Sequence, residues 1–300
     1  MLLIITDALM PSPDGYTLHP ALSAHEKTFH TYTQTWFESE AMSPLSLYAQ
    51  LSGESPASLL AKKAGIQAAQ YWVASPYHGQ LTRDAVRVLP ERMLQWGVHD
   101  AQWLCDALNP LLAEENMALR AIDSALLLCC EQALQASPMP FASIAGQYLP
   151  NRHPDGADGG RLMRLMAEIQ MQLKQIPCKH RREAGDVDIH GLWFWGSSMH
   201  KDKRINHPFS VATRNPYLQP LVDAQDAQVI LTEADDLEKL IKHDIKLFKH
   251  IYLAGNHHLL GLKRSYLPSF KKKTWKPKSV QGERQYIQCM LDCIGLNQPR

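Results

Sequence analysis

Ile189-His190-Gly191-Leu192-Trp193-Phe194-Trp195-Gly196 is apolar on both alternating faces apart from His190. Such a strand belongs inside a sheet that is covered on both sides. The alternative, an edge strand of an antiparallel sheet, would leave Trp193 and Trp195, or Leu192 and Phe194, in water. Burying such side chains is worth on the order of 2–3 kcal/mol each, so the inner position is expected. Just upstream, Leu162, Leu165, Ile169, Leu173 and Ile176 recur at helical spacing behind Asp158, and Pro177 closes the stretch. Lys179 to Asp188 reads as a charged turn. The sequence therefore predicts an α/β fold, a central mixed sheet with helices on both faces and Ile189–Trp195 as an inner strand.

Working outward, Leu2 to Thr6 reads as a first buried strand ending at Asp7, and residues 11 to 44 as a long surface excursion with one short helix. Pro44–Leu51 and Pro56–Gln70 read as helices with proline in the first turn. Tyr71–Ala74 and Ala85–Leu89 form a hairpin, with a crossover as the alternative. Asp100 is expected to cap a helix that Pro110 kinks or ends. Met117–Ile122 and Ala125–Cys130 pair about Asp123-Ser124. Pro138, Pro140 and Pro150, followed by Asn151–Gly160, mark a hinge at 138–160 within a single domain of residues 1–300. Gln228–Leu231 and Ile251–Ala254 are further strands, Leu259–Leu262 extends the ladder, and Asp235–Phe248 and Tyr286–Leu296 are helices.

The chain has 300 residues, enough for a sizeable core. Its 31 basic and 30 acidic residues nearly cancel, so no global field draws it to nucleic acid or to a membrane. Six cysteines without a Cys-x-x-Cys pair fit reduced thiols in a cytoplasm. No window approaches the roughly 18 apolar residues that span a bilayer, and the N-terminus lacks a basic n-region. A cytoplasmic protein with no membrane contact is expected.

Several segments resemble a known family. Glu168-Ile169-Gln170-Met171, Arg181-Arg182-Glu183 and Gly191-Leu192-Trp193-Phe194-Trp195-Gly196 are similar to the RpfE-type regulatory proteins of proteobacteria, which are related to cofactor-independent phosphoglycerate mutases. The likeness continues through Trp72 to His78 and Ala107-Leu108-Asn109. The archaeal-type mutases also carry an Asn-x-x-Trp-x-Trp-Gly strand and an initial strand ending in Asp-Gly. Here His190–Gly196 and Ile4-Ile5-Thr6-Asp7-Ala8 correspond, with His190 in place of Asn and Ala8 in place of Gly. The resemblance implies an alkaline-phosphatase-like fold and, for an active mutase, two divalent metals. Only Asp7 carries over as a ligand, and one carboxylate does not hold two ions.

Other residues invite chemistry. Asp186, Asp188 and His190 alternate, so on a strand they would share a face and suit Mn or Zn. The plainer reading is a charged turn running into a strand. Cys178-Lys179-His180 sets a thiol near an imidazole and two arginines, but a solvated basic turn is expected there. His243 and His250 stand too far apart on a helix to share an ion, and Cys289 and Cys293 lack a third donor. Lys271–Lys278 could grip phosphates around Trp275, although a local basic loop or docking patch suits a neutral chain better. A scaffold of this family without a complete metal and nucleophile set leads to a non-catalytic or activity-lost relative that binds a protein or small molecule. The alternative is a metal-dependent phosphomutase or phosphohydrolase using Mn, Mg or Zn, with Asp7 as a ligand.

Overall fold

The computed structural model describes residues 2–39, 42–89, 91–197, 211–213, 218, 228–240, 245–264, 275–277 and 280–294. The chain opens with β1 (Leu2–Ser12), β2 (Gly15–Leu18), α1 (Glu26–Phe29), β3 (Tyr32–Glu38), α2 (Pro44–Ser52) and α3 (Pro56–Ala64). It continues with β4 (Gln70–Tyr77), β5 (Gly79–Leu81), β6 (Val86–Val88), α4 (Val98–Glu114), β7 (Met117–Ile122) and β8 (Ala125–Cys130). Next come α5 (Gly159–Gln175), α6 (Lys179–Ala184), β9 (Gly191–Trp195), β10 (Val211–Ala212) and β11 (Val229–Glu233). The last elements are α7 (Leu237–Leu240), β12 (His250–Gly255), β13 (His258–Arg264), β14 (Val280–Gln281) and α8 (Glu283–Cys293). Contacts divide the chain into two units, Met1–Ser52 with Ile205–Arg300, and Gly53–Arg204. The 138–160 stretch lies within the second.

The first unit holds a mixed sheet in the order β10-β11-β1-β12-β13-β3-β14, with β2 paired to β1. Strands β10, β11, β1 and β12 run parallel, and β13 returns antiparallel. Leu2, Leu3, Ile4 and Ile5 are fully buried, as expected for a parallel strand flanked on both edges. Leu3 and Ile5 join Phe29, Trp36, Leu237, Phe248 and Leu253 in one core. On the alternate positions, Phe37 meets Tyr252 and Tyr286 of α8. The predicted α/β class with a mixed sheet and helices on its faces is therefore present.

The second unit carries a four-stranded antiparallel sheet, β7-β8-β4-β9, and the small hairpin β5-β6. Helix α4 packs on β7 and β8, α5 on β9, and α3 against β4 and β8. A buried amide on β4 ties together the segments that follow β8 and β9. Gln70 Nε2 donates to Leu134 O (3.1 Å) and Ser197 Oγ (2.9 Å), while its Oε1 accepts from Leu134 N (2.7 Å). Asn109 does the same between α4 and β7, exchanging two bonds with the Leu119 backbone.

The structure corrects several expectations. The tryptophan strand is buried throughout, but it ends the antiparallel sheet and takes no inner place in the mixed one. The physical reason lies in its cover. Helix α5 packs on it, and the Trp193 indole donates to Met139 O at 2.9 Å, so the 138–141 segment shields the open side. Trp195 donates to Ser75 Oγ across the ladder at 2.9 Å.

The excursion at 11–44 holds the expected short helix, α1, but it also contributes sheet, because β2 pairs with β1 and β3 pairs along its full length with β13. The hairpin joins β5 to β6, whereas β4 pairs with β8 and β9. Asp100 sits inside α4 and reaches back to accept from Gly97 N at 2.9 Å. The charged turn contains helix α6, whose Arg181 is fully buried. The Lys201–Pro220 loop for the most part, His243 and most of Lys271–Lys278 lie outside the described residues. Among the described residues, no helix is long and apolar enough to cross a membrane.

Candidate functional site

In the first unit, β11 and β12 end beside the middle of β1, where its parallel register breaks, and this end of a parallel sheet is where open α/β folds bind ligands. Between Ile5 and Leu9 the register of β1 against β12 slips. Asp7 occupies that irregularity with φ 55° and an exposed side chain. Left-handed backbone is uncommon outside glycine, although aspartate tolerates it, and such outliers concentrate at functional sites. One residue on, Ala8 O accepts from His19 N at 2.9 Å. His19 Nδ1 also accepts from Ala21 N and lies 3.7 Å from Asp235 Oδ1, just beyond β11. The hairpin after β12 brings His258 Nδ1 to 2.7 Å from Tyr16 Oη. Burial, helped by neighbouring His257, holds the His258 imidazole below its ordinary value.

Asp186, Asp188 and His190 belong to the second unit and precede β9. Asp188 points its carboxylate to Arg182 at 3.4 Å, and its carbonyl lies 2.7 Å from His78 Nδ1. His190 Nδ1 contacts the Gly79 backbone, 2.9 Å from its oxygen. The His78 and His190 rings stack with centroids 4.2 Å apart. Burial, and then the neighbouring His78, lower the His190 pKa. The neutral ring thus anchors the start of the strand.

A tighter constellation lies close by. Asp100 Oδ1 accepts from His180 Nε2 at 2.7 Å, and Asp100 Oδ2 lies 2.9 Å from Arg181 Nη1. Arg181 also donates to Val187 O at 3.0 Å and to Leu94 O. Cys178 Sγ stands 3.1 Å from His180 Nδ1 and 3.8 Å from Nε2. Sulfur in line with the Nδ1 lone pair would be much farther from Nε2, so it stands over the ring instead. Cys178 and Asp100 are buried, while the His180 side chain is 47% exposed. Burial raises the Cys178 thiol pKa, as it does for Cys105, to about 11, and Cys130, to about 12. A resting thiolate nucleophile is therefore disfavoured. Asp100, Cys178 and His180 together can hold a metal ion, each offering one donor atom within 4.8 Å of the others.

Sequence reasoning noticed Cys178 and His180 but missed Asp100, which comes from another helix about 80 positions away. The available signal was Asp100 at the start of a helix, opposite a Cys-x-His step. At the other candidate sites, Trp275 turns inward, donating to Glu26 Oε1 at 3.1 Å beside the His30 ring. At the start of α5, Asp158 already accepts from Gln135 N, putting a carboxylate where an anion would sit.

The fold and these groups define an α/β protein with a mixed sheet and a metal-capable Asp/Cys/His cluster. No protein-family model matches the chain, and no curated protein does. Among solved structures it is similar to PH0037 protein from Pyrococcus horikoshii, at 10% identity and a TM-score of 0.46, over 100% of this chain and 98% of that one.

Proposed function

We propose that the chain is a regulatory or ligand-binding relative of the cofactor-independent phosphoglycerate mutases, built on an alkaline-phosphatase-like scaffold. The observation that carries this reading is Asp7, set in left-handed backbone at the crown of three parallel strands. That position favours ligand capture, and the strained backbone supports a binding role. His19 and Asp235 stand on the same edge but face each other. The ligand class is a small phosphorylated acid, following the resemblance in Asp7 and the tryptophan strand.

The test is calorimetric titration with 3-phosphoglycerate, paired with turnover assays on 3-phosphoglycerate and p-nitrophenyl phosphate with added Mn. Binding that Asp7→Ala weakens, without turnover, is the expected outcome. Metal-dependent turnover abolished by Asp7→Ala would instead establish the second reading, a working phosphomutase or phosphohydrolase. That reading is favoured by the place of Asp7 at the register break within the first strand, beside the end of β11.

A further inference from the structure

We propose that Asp100, Cys178 and His180 bind one zinc-class ion through Oδ1, Sγ and an imidazole nitrogen, with Arg181 as the outer clamp of the carboxylate. Zinc–nitrogen and zinc–oxygen bonds near 2.0 Å and zinc–sulfur bonds near 2.3 Å place tetrahedral donors about 3.3 to 3.6 Å apart. Here sulfur lies 3.1 and 3.8 Å from the two ring nitrogens, and Oδ1 lies 2.7 Å from Nε2. An ion entering between them replaces the imidazole–carboxylate hydrogen bond and spreads those two donors by a few tenths of an ångström. The His180 side chain is 47% exposed, so its solvent side leaves room for that turn.

The donor chemistry selects the metal. One sulfur, one nitrogen and one carboxylate oxygen suit zinc, whereas magnesium and calcium prefer oxygen alone. The supporting groups are already in place. Asp100 Oδ2 is held by Gly97 N at 2.9 Å and by the buried Arg181 guanidinium, leaving Oδ1 directed at the site. Such outer contacts orient ligating carboxylates. Arg181 is in turn fixed by Leu94 and Val187 carbonyls, so the carboxylate keeps its aim. Coordination releases the thiol proton to solvent and leaves sulfur bound as thiolate. Three protein donors leave the fourth position for water, on the side where His180 meets solvent.

The proposal is independent of the role given to Asp7. The full chain, stripped with chelator and titrated with Zn2+ alone, is expected to bind one ion per chain. His180→Ala removes an exposed ring, and its affinity is expected to fall at least about tenfold. With Co2+ in place of zinc, a sulfur-to-metal absorption band is expected in the native chain and in Cys289→Ser, but not in Cys178→Ser. Urea unfolding of each variant confirms that it remains folded. Failure to take up stoichiometric zinc, or equal uptake by His180→Ala, would overturn the site. So would a cobalt–thiolate band that survives Cys178→Ser and vanishes with Cys289→Ser.

Discussion

Arg181 shows how far one side chain departs from its composition. It is fully buried, and its guanidinium meets Asp100, Leu94 and Val187 together. Breaking a buried ion pair costs more than forming it contributed, because the surviving charge stays out of water. Arg181→Met is therefore expected to destabilise the chain by about 3–5 kcal/mol, read from the urea midpoint. A loss below about 1 kcal/mol, the range of exposed pairs, would mean that Asp100 has found water. His190 makes a prediction about pH. Burial first, then the neighbouring His78, depress its folded pKa below an ordinary histidine's 6.5, against the partly opposing pull of Gly79 and Asp188. The folded state favours the neutral ring, so its contribution is complete above 6.5 and is lost as pH falls toward the depressed value. Urea midpoints are expected to drop between pH 7 and pH 5 by more in the native chain than in His190→Gln. Equal drops would show that the ring titrates freely.

At the scale of elements, α4 runs through Pro110 from Val98 to Glu114. The proline is exposed and removes the donor that would reach the fourth residue back. Pro110→Ala is expected to stabilise the chain by roughly 1–3 kcal/mol, seen as a higher urea midpoint. A lower midpoint would mean that the proline helps to position the bidentate Asn109–Leu119 contact. Trp193 lies on the end strand under loop cover, and Trp193→Ala should cost about 3–5 kcal/mol. A cost near zero would mean that the indole is not packed there.

These elements also show what was legible. The α5 stripe, the starts of the proline-led helices, the β7–β8 hairpin and the opening of the first strand follow from periodicity and turn residues, whereas β1 runs on past Asp7 to Ser12 and α3 stops at Ala64, short of Gln70. The edge position of β9 was hidden because its cover comes from Met139 and α5, and burial does not reveal which element supplies it. β3 was hidden in a polar, proline-marked stretch whose partner, β13, lies more than 200 residues away. In the candidate site, Cys178 and His180 were visible as neighbours. The distant Asp100, which makes the pair a three-donor set, was not.

At the scale of the molecule, residues 53–204 form a continuous stretch with their own antiparallel sheet, core and Asp/Cys/His cluster. A chain cut to 53–204 is expected to unfold cooperatively in urea and to bind zinc as the full chain does. A fragment without cooperative unfolding would show that the second unit depends on the first for its fold. Metal binding is proposed for that unit and ligand capture for Asp7 in the other. Metal analysis of the purified chain beside Asp7→Ala and His180→Ala separates these directly. One zinc per chain, retained in Asp7→Ala and lost in His180→Ala, is the result expected. Two divalent ions per chain that disappear with Asp7→Ala, while His180→Ala keeps them, would contradict it.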